Sequence, residues 1–240
     1  MKIKLYEVRE DEKKAIARVA EELGVEVSIS SENLTPQEAE GLSGIDGVSI
    51  LGRTTVDKEL LDSLKRAGVG YVSTRTIGYN HMDVEYASKV GIHLCNANYP
   101  PYGVAEFTIM LMLLALRKYK PAMWRQMVND YSLSGLQGRE LRNMTVGVMG
   151  TGKIGRAVIG DLQGFGCKIL AYDPYPSADL QGMAEYVDED TLLENSDIIT
   201  LHIPLMESTR HMINREAIAK MKKGVVIVNA SRGELTDIGA

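Results

Sequence analysis

Val146-Gly147-Val148-Met149-Gly150-Thr151-Gly152-Lys153-Ile154-Gly155 runs from a short apolar strand pattern into a glycine-spaced turn and the start of a helical pattern. In that setting the G-x-G-x-x-G spacing has a physical reading. Gly150 permits a tight turn, Gly152 lets the backbone approach a pyrophosphate, and Gly155 lets helix and strand pack closely. A helix starting there turns unpaired N–H groups and the positive end of its dipole toward phosphate. Lys153 and Ile154 are therefore expected to act through their backbone N–H groups. The plain alternative is a glycine-rich connection without a ligand, and the flanking strand and helix weigh against it.

The next strand pattern, residues 168–173, ends on Asp173, eighteen residues past Gly155. A carboxylate there accepts hydrogen bonds from the adenosine ribose hydroxyls and repels a 2′-phosphate. No Arg or Lys follows within 174–178 to hold that phosphate, so NAD is expected over NADP. The competing reading is a turn aspartate before Pro174. Two more strands are expected at 198–201 and 225–228, with helices near 153–165, 190–195 and 214–222.

Upstream, the same alternation runs from the first residues. Strands are expected at 3–8, 25–29, 47–51, 70–73 and 92–95. Helices are expected at 11–23, from an Asp57 cap through Arg66, and at 84–90 before Gly91. Strands alternating with helices over short connections give parallel sheets with helices on both faces. Tyr99-Pro100-Pro101-Tyr102 interrupts the pattern. Residues 104–116 are then apolar on nearly every side, which requires burial between layers or against another subunit. A polar stretch follows through Arg142. Two α/β units are expected, 1–98 and 99–240.

Composition narrows the partners. Of 240 residues 45% are apolar and 25% charged, the balance of a globular protein rather than a disordered or disulfide-dense one. The net charge of −5 argues against a nucleic-acid partner. The longest unbroken apolar run, 109–116, is far short of the ~20 residues that cross a bilayer, so no membrane partner is expected. Cys95 and Cys167 show no metal-ligand spacing, and no metal is expected. The absence of a signal-type N-terminus and of a disulfide framework points to the cytoplasm.

Six ordered stretches resemble the NAD-dependent D-isomer-specific 2-hydroxyacid dehydrogenases. They are Ser73-Thr74-Arg75-Thr76-Ile77-Gly78-Tyr79-Asn80-His81-Met82-Asp83, Asn98-Tyr99-Pro100-Pro101-Tyr102-Gly103-Val104-Ala105-Glu106, the glycine turn, Ala171-Tyr172-Asp173-Pro174, Ile199-Thr200-Leu201-His202-Ile203-Pro204-Leu205, and Val228-Asn229-Ala230-Ser231-Arg232-Gly233-Glu234-Leu235. Within the family the wording is most similar to D-lactate dehydrogenases, including those linked to vancomycin resistance. The resemblance implies a flavodoxin-like substrate domain and a Rossmann NAD-binding domain, both doubly wound, with the site in the cleft between them. It also implies a homodimer built largely through the NAD domains.

The resemblance distributes roles along the chain. Arg232 lies just past a strand's carboxyl end, where open α/β sheets bind ligands, and the family places its essential arginine there. Its fork can hold a carboxylate through two charge-assisted hydrogen bonds and polarise the neighbouring carbonyl. Ile77 and Gly78 occupy the loop whose backbone N–H groups meet the substrate carboxylate in the family. Tyr99 is expected to face the substrate, and for both Ile77 and Tyr99 a purely structural role stays open. His202 and Pro204 are expected to wall the adenosine pocket, and Ala230 and Ser231 to flank the nicotinamide.

Reduction of a 2-oxo acid needs a proton donor, and imidazole suits neutral pH. The four histidines, His81, His93, His202 and His211, all fall outside the position that the family uses, which lies downstream of the NASRGEL motif. None is assigned. The expected reaction passes hydride between NADH and a small 2-oxo acid, pyruvate giving D-lactate. A cofactor-sensing binding protein on the same fold and an S-adenosylmethionine-dependent methyltransferase are the alternatives. With four strands expected after residue 144, strands five and six of the order 3-2-1-4-5-6 are missing. The Rossmann domain is therefore expected to be truncated, and the 240 residues to be part of a chain of about 330 with little activity alone.

Overall fold

The computed structural model describes residues 1–240, and the chain divides into two compact units, Met1–Tyr99 and Pro100–Ala240. In the first, β1 (Lys2–Leu5), α1 (Lys13–Leu23), β2 (Glu26–Ile29), α2 (Pro36–Glu40), β3 (Gly47–Ile50), α3 (Lys58–Ala67), β4 (Tyr71–Thr74), α4 (Val84–Val90) and β5 (His93–Asn96) follow one another. The sheet order is β2-β1-β3-β4-β5 with every pair parallel, the flavodoxin-like order. Local chemistry sets the helix ends. The Asp57 and Asp83 carboxylates accept from the N–H groups of Leu60 and Tyr86, and left-handed Gly68 and Gly91 close α3 and α4. Ile50, Leu60, Leu61, Leu64 and Val72 form the centre of the core. By contrast α1 buries only Ala20.

The second unit runs α5 (Tyr102–Leu116), α6 (Tyr119–Met127), β6 (Thr145–Met149), α7 (Lys153–Leu162), β7 (Lys168–Tyr172), β8 (Glu185–Tyr186), α8 (Glu189–Asn195), β9 (Ile198–Leu201), α9 (Arg215–Lys220) and β10 (Val226–Asn229). Its parallel sheet has the order β10-β9-β6-β7-β8, which reads 3-2-1-4-5 from the other edge. Successive side chains of β6 serve opposite faces. Val146 and Val148 pack with α5 and α7, whereas Met149 joins Leu192, Ile199 and Leu201 on the other side. No helix is long and apolar enough to cross a membrane.

Several expected boundaries shift, each for a local reason. The first strand stops at Leu5 rather than at residue 8 because the chain turns into a left-handed conformation at Glu7, with φ 56°. The first helix begins at Lys13, after a 3-10 turn, Glu10–Glu12, and the segment 163–165 is likewise 3-10 rather than α. The polar stretch after α5 holds α6, which buries none of its residues and so gave no apolar periodicity to read. Two-residue β8 was missed for its brevity. It occupies place three, so Val226–Asn229 is strand five, and the expected absence of that strand is corrected. Finally, α5 is only partly enclosed: Ala105, Thr108, Ile109, Met112 and Leu116 are buried, while Phe107 and Met110 are exposed.

Candidate cofactor and substrate site

Because the second sheet is wholly parallel, its strands end along one edge, and the loops leaving that edge hold most of the expected site. The glycine turn follows β6 and is tied to both neighbours. Gly150 N–H donates to the Tyr172 carbonyl at 2.9 Å, and His202 N–H donates to the Met149 carbonyl at 2.8 Å. Gly150 has φ 91°, and a β-carbon there would sit 2.6 Å from the His202 carbonyl oxygen. At Gly155 a β-carbon would overlap the Gly150 carbonyl oxygen. These two glycines are demanded by the chain's own packing.

Gly152 is different. Its φ of −65° suits any residue, and a β-carbon would meet no protein atom within 4 Å. Nothing in the chain requires glycine there, and the open space lies at the head of α7. That helix has no side-chain cap, unlike α3, α4, α8 and α9, which are capped by Asp57, Asp83, Asp188 and Asn214. Open space and an uncapped positive helix end fit a pyrophosphate. Lys153 and Ile154 form the first turn of α7, with Ile154 also packing on the core.

Asp173 follows β7, is half-buried, and braces the glycine turn. Its Oδ2 accepts from Thr151 N–H at 2.7 Å and from the Thr151 hydroxyl at 3.1 Å. Its Oδ1 accepts from Tyr175 N–H at 2.8 Å, an Asx turn. The turn-aspartate reading and the ribose reading are therefore compatible. His202, past β9, shares a hydrogen bond between Nε2 and the Thr200 hydroxyl at 3.0 Å, while its buried Nδ1 has no partner. Burial lowers its pKa to about 4, so the ring is neutral near pH 7 and unsuited to donate a proton as imidazolium. Pro204 is exposed in the loop beyond.

After β10, half-buried Ala230, Ser231 and Arg232 form a tightly tied loop. The Ser231 hydroxyl donates to the Leu201 carbonyl at 2.9 Å, and Asn229 Nδ2 donates to the Arg232 carbonyl at 2.6 Å. The Arg232 guanidinium donates to the Ser231 carbonyl at 3.2 Å. The edge thus brings Gly150, Gly152, Asp173, His202 and Arg232 into one row of loops.

The remaining expected residues belong to the first unit. Ile77 and Gly78 leave the carboxyl end of β4, half-buried. Their carbonyls are both held: Asn96 Nδ2 donates to that of Ile77, and the Thr76 hydroxyl to that of Gly78, each at 2.7 Å. Tyr99, the unit's last residue, is exposed. His93 opens β5 and stacks on Tyr71 with ring centroids 5.3 Å apart, and His211 lies exposed in a turn.

Sequence reasoning missed Thr151, Tyr186 and Glu7. Thr151 stands inside the quoted motif, where its bond to Asp173 could have been suspected from the strand order. Tyr186 and Glu7 act across sequence distances that no local pattern signals. Glu7 is fully buried, and its carboxylate accepts from the N–H groups of Leu51, Gly52, Arg53 and Thr54. Burial pushes its pKa up, but the bonds from Thr54, Arg53 and Gly52 outweigh this and hold it below the ordinary 4.5. No group of three or more His, Cys, Asp and Glu residues could hold a metal ion.

A parallel sheet of this order, with a glycine turn left open at Gly152 and a carboxylate beside it, is the arrangement of a dinucleotide-binding protein. Comparison with known proteins carries this further. The sequence profile of the D-isomer specific 2-hydroxyacid dehydrogenase NAD-binding domain matches residues 109–240. An aromatic 2-oxoacid reductase of Clostridium sporogenes is 43% identical over 239 residues, covering 99% of this chain and 72% of that protein. A D-specific alpha-keto acid dehydrogenase of Enterococcus faecium is 40% identical over 235 residues, 98% of this chain and 72% of that protein. The apo structure of D-lactate dehydrogenase from Escherichia coli superposes with a TM-score of 0.90 at 38% identity, covering all of this chain and 77% of that one. The chain belongs to the NAD-dependent D-isomer specific 2-hydroxyacid dehydrogenase family. Its cofactor is NAD.

Proposed function

We propose that this dehydrogenase reduces pyruvate to D-lactate, with the substrate carboxylate held by Arg232. The observation that carries the reading is the row of loops on the second sheet, where an arginine shares one edge with the open glycine turn and Asp173. Gly152, Lys153, Ile154 and Asp173 hold the pyrophosphate and adenosine ribose, with His202 and Pro204 beside the adenosine and Ala230 and Ser231 beside the nicotinamide. When bound, NADH supplies the hydride that reduces the 2-oxo carbon. The Arg232 fork binds the carboxylate through two hydrogen bonds and draws charge from the adjacent carbonyl. Ile77, Gly78 and Tyr99 are assigned to the substrate as the first unit's contribution. The fixed Ile77 and Gly78 carbonyls support this, because they set the direction of the loop's N–H groups.

Arg232→Lys tests the assignment. A point charge cannot reproduce the fork, so in the whole gene product kcat/KM should fall at least ~100-fold while the NADH dissociation constant is unchanged. Unchanged kcat/KM would remove Arg232 from the site. The acyl group is tested with pyruvate, phenylpyruvate, 2-oxoisocaproate and hydroxypyruvate. Pyruvate should give the highest kcat/KM, and a higher value for phenylpyruvate would place the enzyme with the aromatic 2-oxoacid reductase instead. One methylene shifts discrimination by only ~1–3 kcal/mol, so neighbouring acids should still turn over.

The working form is proposed to be a homodimer through the second unit. Phe107 and Met110 of α5, with Trp124 and Met127 of α6, leave large apolar area exposed in support of this. Equilibrium sedimentation should give twice the chain mass. The two cysteines are both free, which supports a reducing, cytoplasmic setting.

A further inference from the structure

Asp173 ends a chain of hydrogen bonds whose direction is forced by chemistry. Ser177 N–H lies 2.8 Å from the Tyr186 hydroxyl oxygen, which lies 2.9 Å from the Thr151 hydroxyl, which lies 3.1 Å from Asp173 Oδ2. A backbone N–H only donates, and an ionised carboxylate only accepts. Ser177 must therefore donate to Tyr186, Tyr186 to Thr151, and Thr151 to Asp173. Each hydroxyl has a single proton, and both protons point the same way.

The arrangement also limits what Asp173 can offer. A carboxylate has about four lone-pair sites. Thr151 takes two on Oδ2 through its N–H and hydroxyl, and Tyr175 N–H takes one on Oδ1. The remaining acceptor capacity lies on Oδ1. The loop that follows Asp173 is held at its far side as well, because Arg156 pairs with Asp179 at 2.6 Å.

We infer that Tyr186 is a positioning residue for the cofactor: through Thr151 it orients Asp173 so that the remaining acceptor site on Oδ1 meets the adenosine ribose 2′-hydroxyl. Tyr186 itself touches no cofactor atom in this scheme. Its place on the short edge strand β8 explains why two residues of strand matter. Their pairing with β7 sets the Tyr186 hydroxyl opposite the glycine turn. The inference rests on the assignment of Asp173 to the ribose.

The test is equilibrium binding of NADH and of an NADH analogue lacking the adenosine 2′-hydroxyl, followed by nicotinamide fluorescence. Wild type should bind the analogue about tenfold more weakly, as expected for one lost hydrogen bond to a charged group. Tyr186→Phe should weaken NADH three- to tenfold and reduce the preference for the 2′-hydroxyl to about twofold. A role confined to holding β8 in place would leave that preference intact. Thr151→Val should behave like Tyr186→Phe, and Thr151→Ser, which keeps the relay hydroxyl, should restore the preference. If Tyr186→Phe does not fold, the Thr151 pair decides by the same ratio. A folded Tyr186→Phe or Thr151→Val with the full wild-type preference overturns the relay. Wild type that shows no preference overturns the ribose assignment, and the relay with it.

Discussion

The two sheets each send a glycine-bearing loop from a strand end, and the loops treat negative charge in opposite ways. After β3, the N–H groups of residues 51–54 converge on the Glu7 carboxylate of the same chain. After β6, the turn leads into α7 with no side-chain cap and with open space over Gly152. A concave run of backbone N–H groups is an anion site in either place. The first unit fills its own with Glu7, and the chain beyond is bridged from Val56 to Met82. The second leaves its own open, and the proposed occupant is the cofactor pyrophosphate.

Removing the internal anion should have the largest effect. Glu7→Ala leaves four N–H donors without their acceptor in a buried loop, at a cost of about 4 kcal/mol. The loss should appear in hydrogen exchange across the first unit, with the second unit's amides protected as before. Glu7→Gln should fall between, since its carboxamide keeps one accepting oxygen and turns an NH₂ toward the remaining donors. Equal loss of protection in both units would break the contrast.

Gly155→Ala probes the opposite loop from its packed side. The new methyl would overlap the Gly150 carbonyl oxygen and force α7 away from β6, which should cost about 3 kcal/mol. Hydrogen exchange in urea at the amides of β6, α7 and β7 reads the loss in the second unit, with the first unit's amides protected as before.

Acid should separate the two units in order. The His202 pKa falls from 6.5 to about 4 on burial, so the unfolded chain binds more protons between those values. Stability from this group is complete above pH 6.5 and lost as pH drops through that window, up to about 3 kcal/mol. Glu7 has a native pKa below 4.5, so its contribution is complete above 4.5 and is lost only as pH falls through the lower native value. Protection of the second unit should therefore decline from pH 6.5 downward, before that of the first. His202→Gln should flatten the higher-pH decline, and an unaltered decline would remove His202 as its cause.

Much of this architecture was legible because each local signal agreed with the fold. Asp57 and Gly91 mark helix ends that the structure reproduces, and the apolar run into the glycine turn and residues 198–201 are strands as read. What stayed hidden was long-range or too short to show a period. Glu7 reads as a surface charge until the fold brings residues 51–54 around it, and Tyr186 reads as a loop tyrosine until β8 pairs with β7. For α6 the cause was the absence of any buried face. The site row was legible at its motif residues, Gly150, Gly152, Asp173 and Arg232, and not at the residues that hold them.

Gly152→Ala should have the smallest effect on the fold and yet a clear one on binding. The backbone there is compatible with alanine, and the added methyl meets no protein atom within 4 Å. Stability should fall by no more than about 1 kcal/mol, the cost of alanine replacing glycine at the N-cap of α7. The same methyl would stand where the pyrophosphate approaches the backbone. NADH affinity should fall at least tenfold, about 1.4 kcal/mol, with the urea midpoint lowered far less than by Gly155→Ala. Paired with Gly155→Ala, this divides one motif into a glycine kept for the fold and a glycine kept for the ligand. If Gly152→Ala bound NADH as wild type does, the open space would have no tie to the cofactor, and the contrast with the Glu7-filled loop would fail.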